Sequence, residues 1–500
     1  NCTFKKSYYM KQICLIIPPS SFLLDNRVFP SLGILKIAAV LKNRNIEVEV
    51  LDLSGYKNYD QITIDYIEQN PEVSCFGITS TTPQLPATKN IVESIRKKPN
   101  AIIILGGPHA TLTNAAHRKE RKAGISGRAT KAMKQLTDMF DVIVAGDGEI
   151  AIFEALKPDA PKIVDADLVN SPMFLTNDTL NESPWPARKL IDMNSYNYSI
   201  DGVSATSLIA QLGCPFNCGF CGGRESPSLR RIRTRTSENI VSEMVFLHET
   251  YGYKGFMMYD DELNVNPKMV ELMDQIHQKQ RELGVEWKLR GFIKSQLFTD
   301  EQAQAMYHAG FRWILVGFES GSEKILKTIN KKATRAENTR CMQIAKRNGL
   351  KVKALMSIGH PGESRDTIEE TRKWLIENQP EDFDVSLITC YPGTPYYDNA
   401  VLYSDGIWLY THNGDRLYQI EVDFHETAEY YKGDPNGGYK AFVFTDHLTS
   451  KELVEKRNNL ETSVRKILGI PFNPSVPAMQ YEHSMGMGMG LPGNVLIKSR

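Results

Sequence analysis

The chain has 500 residues, of which 41% are hydrophobic and 24% charged, and this balance excludes a mainly disordered protein. Lysine and arginine together number 59, and so do aspartate and glutamate. Because there is no basic excess, we expect no nucleic-acid partner. No apolar run reaches the roughly 18 residues of a membrane-spanning helix, so we expect no transmembrane segment.

The apolar stretch near the amino terminus predicts a first strand rather than a signal peptide. Met10 leads into this stretch, which indicates that residues 1–9 are an extension. Pro18 and Pro19 interrupt the stretch early, and no small-residue cleavage site follows it. We therefore expect a cytoplasmic protein with reduced cysteines.

Residues 10–156 alternate short apolar strands with helical segments, a pattern that predicts a doubly wound parallel sheet. Ligands of such sheets bind at the carboxyl ends of the strands. Small and polar residues follow three of these strands, namely Thr79, Ser80 and Thr81, then Gly106 and Gly107, then Gly146, Gly148 and Glu149. They predict a binding edge, although each segment alone is equally compatible with an ordinary turn. The absence of a Gly-x-Gly-x-x-Gly sequence disfavours a dinucleotide.

Three further regions follow. Residues 157–203 form a connector rich in proline, asparagine and serine. Residues 204–399 contain six strand–helix pairs, which predict a partial (β/α)6 barrel of the TIM type with its site on the loops after the strands. Residues 400–500 are expected to form a small α+β region. Within it, the alternating Met485–Gly490 segment predicts a flexible tail, with a substrate-contacting loop as the alternative. The predicted fold class is therefore α/β, with this small third region.

Three of the eight cysteines, Cys214, Cys218 and Cys221, lie within eight residues of one another after the first predicted barrel strand. Zinc sites usually have four protein ligands, and no fourth partner is obvious nearby. Three thiolates suit three irons of a [4Fe–4S] cube, whose fourth iron then stays open to amino and carboxylate groups. Structural or zinc-binding cysteines remain the alternative.

The spacing Cys-x3-Cys-x2-Cys resembles the signature of the radical S-adenosylmethionine superfamily. Four later segments strengthen the resemblance across roughly residues 200–400, namely Tyr259-Asp260-Asp261-Glu262, Gly317-Phe318-Glu319-Ser320-Gly321, Ile358-Gly359-His360-Pro361-Gly362-Glu363 and Tyr391-Pro392-Gly393-Thr394-Pro395. The resemblance implies a [4Fe–4S] cluster on the three cysteines, S-adenosylmethionine as a cofactor, and an electron donor such as flavodoxin or ferredoxin.

The resemblance also implies that six residues contact S-adenosylmethionine, namely Asp260, Asp261, Glu262, Arg290, Glu319 and Ser357. At least one of the three consecutive acids is expected at the methionine amino group, with capping of the next helix as the alternative. Glu319 is expected to accept hydrogen bonds from the ribose hydroxyls or to pair with Arg290 in a buried salt bridge. Arg290 is equally suited to the methionine carboxylate.

The N-terminal part resembles the cobalamin-binding domain that is often fused to this core. The resemblance rests on Pro30-Ser31-Leu32-Gly33 and on the three strand-end segments, whose eight residues are the expected cobalamin contacts. Ser183-Pro184-Trp185-Pro186-Ala187-Arg188 resembles the usual connector. One departure is the missing Asp-x-His-x-x-Gly segment, which supplies a histidine below the cobalt in some cobalamin proteins. No histidine precedes His109, so the lower cobalt face is expected to be bare, water-bound or met by another group.

Together the two parts resemble cobalamin-dependent radical methyltransferases. The resemblance implies that a 5′-deoxyadenosyl radical abstracts hydrogen from an unactivated carbon and that methylcobalamin delivers the methyl group. One alternative is a radical reaction without methylation, such as cyclisation, rearrangement or oxidation, and another is a non-catalytic metal-binding scaffold. A small molecule, a lipid precursor or a peptide remains open as substrate, and no catalytic acid or base is assigned.

Overall fold

The computed structural model describes residues 12–20, 26–427 and 440–470. The predicted extension and the Met485–Gly490 segment lie outside these residues. Within the described ranges, no helix combines the length and the apolar character needed to cross a membrane.

The N-terminal region is a parallel six-stranded sheet in the order β2-β1-β3-β4-β5-β6. Its strands are β1 (Gln12–Ile17), β2 (Glu47–Asp52), β3 (Cys75–Thr79), β4 (Ile102–Gly106), β5 (Val142–Ala145) and β6 (Ile163–Asp165). Its helices are α1 (Leu32–Asn43), α2 (Tyr59–Gln69), α3 (Leu85–Ile95), α4 (Pro108–Lys122), α5 (Arg128–Met139) and α6 (Gly148–Ala155). The predicted doubly wound sheet is confirmed.

Both faces of this sheet are buried, which explains why its strands are continuous apolar runs. Ile13 and Leu15 of β1 belong to the core under α1 and α6. Cys14 and Ile16 of the same strand point to the opposite core, under α3 and α5. The strand order reverses between β1 and β3, so the sheet opens a crevice at its carboxyl edge there.

The second sheet has seven strands in the order β15-β14-β13-β12-β11-β8-β7. After α7 (Asn177–Glu182), its strands are β7 (Tyr198–Ile200), β8 (Val203–Leu208), β11 (Gly255–Met258), β12 (Lys288–Ile293), β13 (Trp313–Glu319), β14 (Lys351–Ile358) and β15 (Asp382–Leu387). A small hairpin of β9 (Gln211–Leu212) and β10 (Arg233–Thr234) follows β8. The helices are α8 (Pro227–Arg230), α9 (Ser237–Tyr251), α10 (Met269–Leu283), α11 (Asp300–Ala309), α12 (Glu323–Thr328), α13 (Arg335–Arg347) and α14 (Arg365–Asn378).

Six of these strands are parallel and form the predicted partial barrel, while β7 pairs antiparallel with β8 at the edge. Side chains alternate along each barrel strand. Met257 and Leu315 join a small apolar cluster inside the barrel, while Phe256 and Met258 pack in the main core. This alternation puts polar strand-end residues at the mouth of the barrel.

The C-terminal region is a small α+β unit, as predicted. It contains α15 (Pro395–Asp398), an antiparallel sheet of β16 (Val401–Ser404), β17 (Ile407–His412), β18 (Asp415–Ile420) and β19 (Val443–Thr445), and the helix α16 (Ser450–Leu468). Buried charges hold α16 against the barrel. Arg465 Nη1 lies 3.1 Å from Asp382 Oδ1, and Lys353 Nζ lies 3.0 Å from Asp382 Oδ2.

Replacing Arg465 with methionine is expected to lower the free energy of unfolding by about 3 kcal/mol, because the buried carboxylates lose one of their two cations. The urea midpoint of the purified protein measures this change. Lys466→Met is the matched control, since Lys466 is exposed and its replacement should cost within about 0.5 kcal/mol. Equal midpoints for the two variants would contradict a stabilising role for the network.

Candidate functional site

The three cysteines lie on the loop between β9 and β10, at the mouth of the barrel. Two glycines show how tightly the outer side of this loop is packed. A Cβ at Gly213, whose φ is +87°, would lie 2.2 Å from the carbonyl oxygen of Arg231. A Cβ at Gly219 would lie 2.8 Å from the ring of Tyr396. The loop is therefore held compact from outside.

The inner side of the loop faces a recess. Protein surrounds the Cys221 thiol closely enough that burial raises its pKa to about 12, yet solvent still reaches the side chain. Tyr259 behaves in the same way, since burial raises its pKa to about 12 while 37% of the residue is exposed. A side chain that is surrounded by protein and also reached by solvent lines a concave surface. Cys218 is buried and Cys214 is half-buried beside it.

The donor set suits an iron–sulfur cube, because three thiols sit on one compact loop around a recess. Among the described residues, no three His, Cys, Asp or Glu side chains are placed to hold one metal ion. A cube makes no such demand, since each thiolate binds a different iron.

The three consecutive acids after β11 occupy different environments. Asp260 is buried, and its Oδ1 accepts hydrogen bonds from the backbone N–H of Ala210 at 2.9 Å and of Gln211 at 2.5 Å. Burial raises its pKa to about 7, and these bonds oppose the rise. Asp261 is exposed, and Glu262 is half-buried with a pKa that burial raises to about 7. Asp260 thus braces the chain after β8, and the other two remain available to a ligand.

Glu319 ends β13 in a strained conformation, with a φ of +65° and an irregular register between Gly317 and Glu319. Its Oε1 accepts a hydrogen bond from Lys331 Nζ at 3.0 Å, and its Oε2 accepts one from Ser357 Oγ at 2.8 Å. Burial opposes its ionisation, but Lys331 and Ser357 hold its pKa below the usual value. The site therefore presents a fixed carboxylate.

The hydrogen-bond chain continues behind Ser357. Its Oγ lies 2.8 Å from His360 Nε2, and His360 Nδ1 lies 3.3 Å from the hydroxyl of Tyr396. Burial lowers the pKa of His360 to about 4, so this imidazole is neutral at physiological pH. Because Tyr396 also packs against the cysteine loop, the chain links the orientation of Glu319 to that loop.

The structure does not bring Arg290 to these residues. Arg290 Nη2 lies 3.9 Å from Asp201 Oδ1, and its guanidinium lies 5.8 Å from the ring centre of Trp313. Trp313 begins β13 and Glu319 ends it, so the two levels are about 20 Å apart along the strand. The salt bridge between Arg290 and Glu319 considered above is not formed, and Lys331 takes that place. Sequence reasoning missed Lys331, since it follows a short helix rather than a strand.

At the carboxyl edge of the N-terminal sheet, the first two predicted segments are partly open. A Cβ at Gly106 would meet no atom within 4 Å, so β4 ends at free space. Gly107, with φ +95°, packs against Thr79, which is half-buried. Ser80 is fully buried, and its Oγ lies 3.2 Å from Thr88 Oγ1.

Thr81 is exposed and caps the following turn through Gln84. Its hydroxyl donates to Gln84 Oε1 at 2.9 Å. Thr79 and Gly106 therefore lie nearest the open edge, while Ser80 supports the domain interior.

The third predicted segment is packed against protein. A Cβ at Gly146 would lie 2.6 Å from the backbone nitrogen of Asp167, and one at Gly148 would lie 2.7 Å from Ile37 Cδ1. Glu149 is half-buried, and burial raises its pKa. This segment is built for close packing, and the open cradle lies at Gly106.

His109 follows the same edge and is buried. Its Nδ1 lies 2.9 Å from Thr82 Oγ1 and its Nε2 lies 3.2 Å from Thr113 Oγ1. Burial lowers its pKa to about 3. Both ring nitrogens of the neutral imidazole are therefore engaged inside the domain.

The open edge and the cysteine loop meet through α4. A Cβ at Gly222 would lie 3.0 Å from the side chain of Leu112, and one at Gly393 would lie 2.8 Å from it. The N–H of Gly223 donates to the carbonyl of Gly393 at 2.9 Å. The absence of side chains at two positions thus lets α4 approach the loop directly.

Buried ion pairs fix this approach. Arg118 Nη2 on α4 lies 2.6 Å from Asp167 Oδ2. The other oxygen of Asp167 accepts hydrogen bonds from the Ser226 hydroxyl at 2.7 Å and the Ser228 N–H at 2.9 Å, just after the cysteine loop. Such paired and hydrogen-bonded charges hold two elements in one geometry.

Comparisons with known families agree with this arrangement. The family described as the radical SAM superfamily matches residues 208–375, and the B12 binding domain matches residues 26–137. An uncharacterised methyltransferase of Pyrococcus horikoshii is 27% identical over 402 residues, which cover 78% of this chain and 83% of the relative. An anaerobic magnesium-protoporphyrin IX monomethyl ester cyclase of Cereibacter sphaeroides is 24% identical over 69% of this chain. The chain spans only 56% of that cyclase.

Two solved structures share the fold. The radical S-adenosylmethionine methyltransferase TsrM from Kitasatospora setae, with cobalamin and a [4Fe-4S] cluster bound, has a TM-score of 0.62 at 17% identity. The match covers 93% of this chain and 91% of TsrM. The cobalamin-dependent S-adenosylmethionine radical enzyme OxsB has a TM-score of 0.56 at 16% identity, over 73% of this chain and 52% of OxsB.

If Glu319 contacts S-adenosylmethionine as the sequence resemblance implies, replacing Ser357 with alanine should weaken S-adenosylmethionine binding roughly fivefold to tenfold, because Glu319 and His360 each lose a hydrogen bond worth about 1 kcal/mol. Equilibrium dialysis with the cluster-loaded protein measures the change in dissociation constant. Ser404→Ala on exposed β16 is the control and should bind like the unchanged protein. Equal affinities for both variants would contradict the role of the Glu319 network.

Proposed function

We propose that this chain, which belongs to the radical S-adenosylmethionine superfamily and carries a B12-binding domain, is a cobalamin-dependent methyltransferase. Its cofactors are a [4Fe–4S] cluster, S-adenosylmethionine and cobalamin. One observation carries the proposal, namely the direct packing of Leu112 against the cysteine loop. This contact puts the open edge of the N-terminal sheet next to the recess in which radical chemistry would start.

The residues of the site divide among the three cofactors. Cys214, Cys218 and Cys221 would hold the cluster. Asp261 and Glu262 would face the methionine amino group, and Glu319 would face the ribose, all lining one side of the recess. Thr79 and Gly106 would cradle the flat face of cobalamin, since glycine lets a flat ring lie close to the backbone. The cluster and S-adenosylmethionine supply a radical, and cobalamin supplies a carrier for the methyl group.

The protein's own contribution is positioning and shielding. The Glu319–Ser357–His360 chain fixes one ligand group before binding, so less orientation is lost when the reactants meet. The recess is lined by Tyr259 and by the cysteine loop, and a ligand seated in it would exclude water from the reacting atoms.

Methyl transfer is favoured over other radical reactions because the relative of which the chain covers 83% is named a methyltransferase. The chain spans little more than half of the cyclase relative, so cyclisation is an outcome that the tests must separate. The substrate class is a small molecule, with lipid precursors and peptides retained. The electron donor is a protein such as flavodoxin or ferredoxin, and the compartment is the cytoplasm.

The cofactor assignment predicts about four irons and about one cobalamin per chain after anaerobic reconstitution with both. With S-adenosylmethionine carrying a deuterated methyl group and a reductant, mass spectrometry should find the label on the bound cobalamin. The triple variant of the three cysteines to alanine should lose the iron. Four irons without cobalamin, even at excess, would contradict methyl transfer. Formation of 5′-deoxyadenosine with no labelled cobalamin would indicate a non-methylating radical enzyme.

Replacing Gly106 with leucine is expected to lower bound cobalamin at least tenfold while leaving the iron content unchanged. The Cβ of the new side chain would meet no protein atom within 4 Å, so the side chain would extend into the space proposed for the cofactor. Cobalamin absorbance after gel filtration gives the stoichiometry. Gly106→Ala is the graded control, because one methyl group fills little of that space and should lower binding much less. Normal cobalamin content in the leucine variant would place the cofactor elsewhere.

A further inference from the structure

Three buried cations lie around the cysteine loop. Arg224, Lys294 and Lys331 are 8%, 2% and 4% exposed. Lys331 is paired with Glu319 at 3.0 Å. Within the part of the chain that the structure describes, neither Arg224 nor Lys294 forms an ion pair with a carboxylate. Burial raises the pKa of Asp261 and of Glu262, and Arg224 opposes the first rise and Lys294 the second, but neither carboxylate is within ion-pair distance. Burying a charge without a close partner is costly, so a further negative group beside these two cations would be stabilised.

Arg224 lies three residues after Cys221 on the same loop. Its Nε and Nη1 atoms are buried and have no hydrogen-bond partner. The guanidinium is therefore buried on the cysteine loop itself, and it retains two unused donors.

Lys294 approaches the loop from the end of β12. Its Nζ lies 4.1 Å from the ring centre of Phe216, which is placed between Cys214 and Cys218. The same ammonium donates to the carbonyl of Lys331 at 3.0 Å. The ammonium is therefore buried against the segment that joins Cys214 and Cys218.

We propose that Arg224 and Lys294 are the counter-charges of the iron–sulfur cluster and that they raise its reduction potential. A cube with three thiolates is negative, and reduction adds one more negative charge. Buried cations on and beside the cysteine loop would stabilise the reduced form more than the oxidised one. The inference rests on the proposed cofactor set and adds to it two positioning residues.

The alternative occupant for Arg224 is the carboxylate of S-adenosylmethionine. The two roles separate without any substrate, because a carboxylate partner leaves the potential of the ligand-free cluster unchanged when Arg224 is replaced. A counter-charge of the cluster changes that potential in the absence of S-adenosylmethionine.

The experiment is a potentiometric titration of the cluster, monitored by electron paramagnetic resonance, on the full-length reconstituted protein without S-adenosylmethionine. Lys294→Met and Arg224→Gln should each shift the one-electron reduction equilibrium at least tenfold towards the oxidised cluster, or about 59 mV per tenfold. Lys294→Arg and Arg224→Lys keep the charge and should stay within threefold of the unchanged protein. Lys332→Gln and Arg231→Gln are matched controls, since both residues are exposed and solvent screens their charge.

Each result bears on the inference. Neutral variants with about four irons and an unchanged potential would overturn it. If the neutral variants lose the cluster but the charge-conserving variants keep it, the need for a counter-charge is supported. If the charge-conserving variants also lose it, shape rather than charge is responsible and the inference fails. Failure of the unchanged protein to take up iron would instead overturn the proposed cofactor set.

Discussion

The close approach of α4 to the cysteine loop is the constraint on which the rest of the site depends. Leu112 fits there because Gly222 and Gly393 present no side chain to it. At Gly393 a Cβ would also lie 2.9 Å from the Cβ of Leu112, so a side chain there would displace α4. The approach is then fixed by the buried Arg118–Asp167 pair, which reaches the residues just after the loop. The two sheets, which share one large hydrophobic cluster, thereby place their carboxyl edges against each other.

Charged side chains are also packed closely around the site. The whole chain has a formal net charge of zero, yet the cysteine loop lies among buried cations. Lys331 needs Glu319, and Glu319 in turn holds a backbone conformation that few side chains adopt. This strain persists because the surroundings determine it on several sides, through Ser357 as well as Lys331. The fold therefore stabilises a carboxylate geometry that the isolated strand would avoid.

The sequence predicts the order of strands and helices well, because hydrophobic period and strand length are local properties. It also predicts which loops meet, since parallel strands end at one edge. It does not predict the height of a side chain along the barrel. Arg290 and Glu319 are on neighbouring strands, but Arg290 lies at the level of Trp313, the first residue of β13, whereas Glu319 is the last. Lys331 pairs with Glu319 after the chain has turned through α12, a path that local pattern does not reveal.

The strand-end glycines show the same limit at a finer scale. Gly106 ends β4 and Gly146 directly follows β5, and the sequence alone does not distinguish their roles. The first faces open space, whereas the second, with φ +89°, packs on the backbone of Asp167. Which of two glycines is a cradle and which is a packing contact depends on the neighbouring strand. Tertiary packing alone decides this, so the open edge could only be located from the structure.

The open edge also bears on the missing histidine segment. His109 is placed beside that edge, but both of its ring nitrogens are engaged by Thr82 and Thr113. To bind cobalt, it would have to leave one of these buried groups unpaired, at a cost of about 1–3 kcal/mol. The missing segment and the closed environment of His109 therefore agree. In the proposed function, backbone at Gly106 and the hydroxyl of Thr79 are the groups that this edge would offer to a corrin ring.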